Sequence, residues 1–181
     1  MRIDIKKTKV YPFDELSEEA KETAVEKLWD INVNYEWWNS VYDDAENVGI
    51  KIVEFDIGRG NFCRGHFTNS AEDVAKAIIA NHGDTCETYK TAESFLAEYY
   101  EKKAGHETDL DAMSPDETPL HEEFEDTGLY GDMVNEFQHF ILEDYRILLT
   151  KEYEYLSSEE TIIDTIKTND YEFTEDGELY S

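Results

Sequence analysis

Positive charge is scarce in this chain. Its 181 residues hold 16 lysines and arginines against 44 acids, a formal net charge of −28. Such a field repels nucleic acid and anionic membrane and attracts basic surfaces. Direct binding to nucleic acid or membrane is therefore not expected, whereas a basic protein partner is. Lysine far outnumbers arginine, which does not fit the composition of a halophile. Cysteine is also scarce: Cys63 and Cys86 make no disulfide framework. They read as small, semi-buried hydrophobes in a reducing, cytosolic setting. No run approaches the roughly 18 apolar residues that a membrane span requires. Met1-Arg2-Ile3-Asp4 is followed by no apolar stretch of the kind that makes a signal peptide.

What is present argues for a folded domain. Hydrophobic residues make up 40% and aromatics 13%, too many for a disordered chain despite the acidity. The length suits a single domain over residues 1–181, one that buries roughly 70% of its unfolded surface. Charge is uneven along it. Residues 1–103 hold 21 acids and 13 bases; residues 104–181 hold 23 acids and only Arg146, Lys151 and Lys167.

The stretch 49–69 predicts a hairpin. Ile50, Ile52, Val53, Phe55 and Ile57 suit a pleated, half-buried strand, and Phe55 is expected to face the core. Gly58-Arg59-Gly60-Asn61 tolerates the positive φ of a tight turn, and Phe62, Cys63 and Phe67 return. Residues 2–10 alternate weakly and suggest an edge strand, with a break at Tyr11-Pro12. Ser17 can cap a helix to about Ile31, with Leu16, Ala20, Ala24 and Leu28 on one face. Asn34 can cap a second helix to Val48, with Trp37, Val41, Ala45 and Val48 inside and Gly49 after its end. Ser70-Ala71-Glu72-Asp73 matches a capping signature. A further helix is expected from Thr91 to about Gly105, through Phe95, Leu96, Tyr99 and Tyr100. A long one follows from Asp132 to Leu156, with the stripe Val134, Phe137, Ile141, Tyr145 and Leu148. Ser157 and Glu160 suggest another cap before Ile162, Ile163 and Ile166. Tyr171, Phe173 and the turn Glu175-Asp176-Gly177 suggest a terminal hairpin. The expected fold is α+β: a small antiparallel sheet of four or five strands, with five or six helices mainly on one face.

Residues 105–130 read as a long acidic loop, with a short helix around 121–126. From 104 to 145 there is no lysine or arginine, while 13 acids occur. A structureless stretch of this length inside a compact domain is usually functional or disordered. The candidate partner-binding residues lie here: Asp109, Asp111, Asp116, Glu117, Glu122, Glu123, Glu125 and Asp126 as the charged rim, Leu120 and Phe124 as apolar anchors. Charge steers association, but apolar anchors give a specific interface its affinity.

Partial motifs fall short of chemistry. Gly58-x-Gly60 leads into a strand, whereas a phosphate cradle needs a glycine loop opening a helix. The spacing of Arg59, Phe62, Arg64 and Phe67 is a faint match to an RNA-binding strand, set against the charge. Pairing of Arg59 and Arg64 with the acidic segment is a further reading. Glu136-x-x-His139 is one half of a di-iron pattern that needs a second such motif. Cys63-x-x-His66 is half of a zinc pattern whose side chains a strand would send to opposite faces. Asp109-x-Asp111 opens like a calcium loop, but Ser114 and Leu120 occupy the positions that require glycine and glutamate. No nucleophile elbow occurs. No catalytic residue, cofactor or metal site is expected.

The segment Tyr11-Pro12-Phe13-Asp14-Glu15-Leu16-Ser17-Glu18-Glu19-Ala20-Lys21, the Trp/Tyr-rich stretch after it, and the ending Tyr171-Glu172-Phe173-Thr174-Glu175-Asp176-Gly177 resemble a group of uncharacterised small acidic proteins. These occur in bacteriophages and bacterial mobile elements, and some are loosely labelled antitoxin-like. The resemblance covers the first third and last tenth of the chain and transfers no functional residue. It implies a mobile-element setting in a bacterial cytoplasm. Together with the charge, it gives the expectation of a non-enzymatic protein that blocks a basic, nucleic-acid-binding surface of a host protein, as a nucleic-acid mimic in an anti-defence role. The alternatives are an antitoxin that neutralises a partner toxin, and an unrecognised enzyme.

Overall fold

Polar caps and apolar stripes in this sequence build the elements in turn. The structure, a computed structural model, describes residues 8–112 and 124–180. It is α+β and resolves into two compact units. One holds the chain up to Trp38 and from Lys151 onward; the other is Asn39–Thr150. The domain expected from the sequence thus has two apolar cores.

The first unit closes the N-terminal region on the C-terminal one. Strand β1 (Tyr11–Pro12) pairs antiparallel with β4 (Glu172–Phe173), Tyr11 opposite Phe173. Tyr11-Pro12, expected as a break, is therefore strand: proline is tolerated in a strand of this length. The strand expected over residues 2–10 falls largely outside the described residues. Helix α1 (Glu18–Lys27) is capped by Ser17, whose hydroxyl accepts from the Ala20 amide. Helix α6 (Glu159–Thr168) is capped by Ser158, one residue beyond the expected Ser157. Small Ala20 and Ala24 let α1 pack with Ile162 and Ile166, and Phe13 meets Phe173 edge to face at 6.1 Å. The expected terminal hairpin is present, with Phe173 bridged to Leu179. Gly177 sits at φ +84°, and a Cβ there would lie 2.2 Å from the Ala20 carbonyl oxygen. The turn approaches α1 so closely that only glycine fits.

α1 stops at Lys27, short of Ile31. The buried Asn32 explains the change of course: its amide donates to the Leu156 carbonyl and its oxygen accepts from the Thr165 hydroxyl. A side chain holding a helix-end carbonyl this way satisfies an orphan acceptor. Helix α2 starts at Asn39 and ends at Asn47, so Asn34 is not its cap. Trp37 lies before it, packed on Trp38 and Tyr153.

The second unit is built on the hairpin β2 (Ile50–Asp56) and β3 (Phe62–Phe67). The Asp56 carboxylate accepts from the amides of Gly58 and Gly60 and fixes the turn. The ladder slips between Ile52 and Glu54. Val53 is the extra residue and is 63% exposed. This bulge keeps Ile50 and Ile52 inside, then brings Phe55 inward against Tyr42. Phe55 is only half-buried, at the margin of the core. Arg64 pairs with Glu54 across the strands, 3.2 Å away.

Around the hairpin pack α2, α3 (Ala71–Asn81), α4 (Glu87–Ala112) and α5 (Gly128–Leu156). α5 continues into the first unit. Ser70 caps α3 as expected. α4 begins four residues before Thr91 and runs through Gly105 to Ala112. A single exposed glycine costs a helix about 1 kcal/mol and does not end it. Among the described residues the four strands form two separate two-stranded sheets, not one sheet of four or five. The reason lies in β1 and β4: each has two residues, and neither pairs with β2 or β3.

Candidate functional site

The span 105–130, expected as an acidic loop, is helical at both of its described ends: α4 extends to Ala112 and α5 starts at Gly128. Asp109 and Asp111 belong to the last turns of α4. Asp116, Glu117, Leu120, Glu122 and Glu123 lie outside the described residues. Phe124–Asp126 form a short 3-10 helix that leads to Thr127, whose hydroxyl accepts from the Tyr130 amide at the start of α5.

Two of the predicted site residues have other work. Phe124 is 3% exposed and packs against Tyr99, Tyr130 and His106. It is a core residue and not an exposed anchor. The cause is the aromatic cluster around it, whose members come from α4 and α5. Glu125 accepts from Lys103 Nζ and from the Tyr99 hydroxyl, both at 2.6 Å. The Lys103 bond, then the tyrosine, holds its carboxyl down at about 2. Burial, reinforced by Glu125, pushes Tyr99 up to about 12. Glu125 thus ties the 3-10 helix to α4.

A second arrangement has the residue types of a nucleophilic triad. Thr88 Oγ1 lies 2.7 Å from His82 Nδ1, and His82 Nε2 lies 3.4 Å from Asp44 Oδ1 without hydrogen-bond alignment. Asp44 Oδ2 accepts from the Tyr145 hydroxyl at 2.9 Å. Thr88 is 4% exposed and Tyr145 is fully buried, so this series presents neither hydroxyl at the surface. It joins α2, the end of α3, α4 and α5 inside the unit, a structural role. Cys63 is half-buried. Burial, then Glu143, pushes its thiol up to about 11, away from the range of a reactive thiolate.

An open groove of about 400 Å³ lies between α4 and α5. Three contacts show that these helices run antiparallel. The Thr91 hydroxyl donates to Asp144 at 2.7 Å, Phe95 stacks on Phe137 at 4.3 Å, and Tyr99 meets Tyr130 at 5.9 Å. The floor is apolar: Phe95, Met133 and Phe137, all buried. Phe140 stands on the rim, 50% exposed. Lys90 is the one cation lining the groove, against Glu98, Glu136, Glu143 and Asp144, and it already pairs with Glu87.

The carboxylates differ. Glu143 is gripped by two nitrogens of Arg146, at 2.6 and 2.8 Å, which holds it below its ordinary range. Burial raises Asp144 above its own, against the Thr91 bond, with Glu87 and Glu143 adding to the rise. Such a group gains when a cation approaches. Glu98 and Glu136 are exposed at the rim. An apolar floor under a carboxylate rim is suited to a ligand that is both apolar and cationic. None of the groove residues belongs to the segment singled out from the sequence, although Glu136 was noted there in a metal half-motif.

Comparison with protein families, curated proteins and solved structures finds no match. The groove therefore stands on its own chemistry. Among the described residues no helix is long and apolar enough to cross a membrane, and no three metal-ligating side chains come together.

Proposed function

We propose that this chain is a non-catalytic acidic protein that binds a basic surface of another protein, and that the α4–α5 groove is its contact site. The observation that carries the reading is the combination of buried aromatic floor, half-exposed Phe140 and four carboxylates in one groove. The charge balance supports it. Lys21, Lys27, Arg64, Lys76, Lys103, Arg146 and Lys167 each pair with an acid of the chain itself. The field left over is strongly negative, and it steers basic partners and repels acidic ones.

The biological setting follows from the resemblance to small acidic proteins of phages and mobile elements. In that setting the partner is a host protein in the bacterial cytoplasm whose basic surface otherwise binds nucleic acid, and the chain blocks it. A toxin encoded beside the chain is the alternative partner. The test is retention from a bacterial extract on immobilised wild-type chain and on the Glu98→Gln/Glu136→Gln double variant. The reading expects basic proteins to be held by the first and released from the second, with nucleic acid competing for them. If the variant retains the same proteins as the wild type, the groove is not the site.

A further inference from the structure

We infer that the groove takes a basic amphipathic α-helix of the partner, an inference that rests on the binding reading above. The first argument is backbone chemistry. Both walls are helices, whose main-chain groups are already bonded within themselves. The polar groups facing the groove are side chains: carboxylates, the lysine, and the hydroxyls of Thr91 and Ser94. An extended segment laid over Phe95, Met133 and Phe137 would leave its own amides and carbonyls unmet above an apolar floor, which is costly. There is no sheet edge here to receive it. A helix brings its backbone already satisfied.

The second argument is length. The lining positions span Lys90 to Glu98 on α4 and Met133 to Asp144 on α5. At 1.5 Å per residue that is a trough of about 12–17 Å, two to three helical turns. Two or three apolar residues at i, i+3 or i+4, and i+7 fit such a trough. Phe140 on the rim would flank them, and the guest's third helical axis would complete a layer with α4 and α5.

The third argument is charge, and it decides between guests. Flanking positions of the guest face Glu98, Glu136, Glu143 and Asp144, so they must be lysine or arginine. A second copy of this chain is a poor guest, because each of its own helices carries more acid than base. Arginine suits Glu98 and Glu136 best, since its planar fork can bond a carboxylate bidentately while its stem lies on an aromatic face.

The experiment uses three fluorescein-labelled peptides of about 14 residues and the same net positive charge. One carries leucines at i, i+3, i+7 and i+10 among lysines and arginines. The second is its scramble without helical periodicity. The third keeps the order but has two central prolines. Fluorescence anisotropy gives the affinity, and far-UV circular dichroism reports peptide helix on binding. The inference expects the first peptide to bind at least about tenfold tighter than the others and to gain helix. It also expects that advantage to be lost in Phe140→Ser and in Glu98→Gln/Glu136→Gln, all exposed positions whose substitution leaves the fold intact. Equal affinity for the three peptides overturns the helix inference and leaves the acidic-surface reading standing. A helical preference unchanged by those variants overturns the assignment to this groove. No binding of any peptide at low salt overturns both readings.

Discussion

Phe137→Ala strikes the packing that creates the groove. Phe137 is buried, stacks on Phe95 with ring centres 4.3 Å apart and planes 11° from parallel, and leans on Phe67 at 5.2 Å. It therefore joins β3, α4 and α5. Burying a phenyl side chain is worth about 1.5–3 kcal/mol. Two aromatic pairs add about 0.5–1.5 kcal/mol each, so the expected loss is about 3–5 kcal/mol, the usual range for removing a core phenylalanine. Three residues on, Phe140→Ala serves as the control. That ring is half-exposed, and its loss should change stability by no more than about 0.5 kcal/mol. Urea denaturation followed by far-UV circular dichroism is the assay. With a urea dependence of about 1–3 kcal/mol per molar, the midpoint should fall by one molar or more for Phe137→Ala. A loss below about 1 kcal/mol, or one equal to that of Phe140→Ala, would refute the packing described for α4 and α5.

Glycine positions give two opposite expectations. A Cβ at Gly105, inside α4, meets nothing within 4 Å, so Gly105→Ala should raise stability by about 0.5–1 kcal/mol in thermal unfolding. Gly177→Ala should lower it by more than about 1 kcal/mol, because the new methyl meets the Ala20 carbonyl; a neutral result would mean the turn does not sit against α1. Acid titration should expose the Glu125 clamp. Its carboxyl is held from 4.5 down to about 2, so the stabilisation is complete above its ordinary value and is lost as pH falls through that window. The side chain is about a third exposed, and screening leaves about 1 kcal/mol. Glu125→Gln should therefore cost stability at pH 6 and little at pH 2.5; an equal cost at both would contradict the assignment.

Legibility in the sequence followed locality. The hairpin, its glycine turn, the caps Ser17 and Ser70 and the inward positions Phe137, Ile141 and Tyr145 of α5 depend on neighbours within a few residues, and each could be read; Leu148, expected on the same stripe, is exposed, and Leu149 is buried in its place. The bulge at Val53 could not, because Ile52 and Val53 are both apolar and the strand reads as one continuous run. A glycine near the end of a periodic pattern reads as a stop, so the pattern alone ends α4 at Gly105, although the helix continues to Ala112. Phe124 looked like an anchor on an acidic loop because its cage, Tyr99 and Tyr130, comes from two different helices. The groove was out of reach for the same reason. It requires Phe95 to lie over Phe137 and Thr91 to reach Asp144, pairings more than 40 residues apart that no local pattern encodes.

The most direct test of the central claim is the salt dependence of binding to the most basic protein retained from the extract. The affinities of wild type and of Glu98→Gln/Glu136→Gln would be measured across a sodium chloride series. These two rim carboxylates are the ones to change, since Glu143 and Asp144 also hold Arg146 and Thr91. The account predicts that wild-type affinity falls steeply with salt, and that the variant binds more weakly at low salt with a shallower slope. Identical affinities and slopes for the two proteins, with the variant folded, would contradict it.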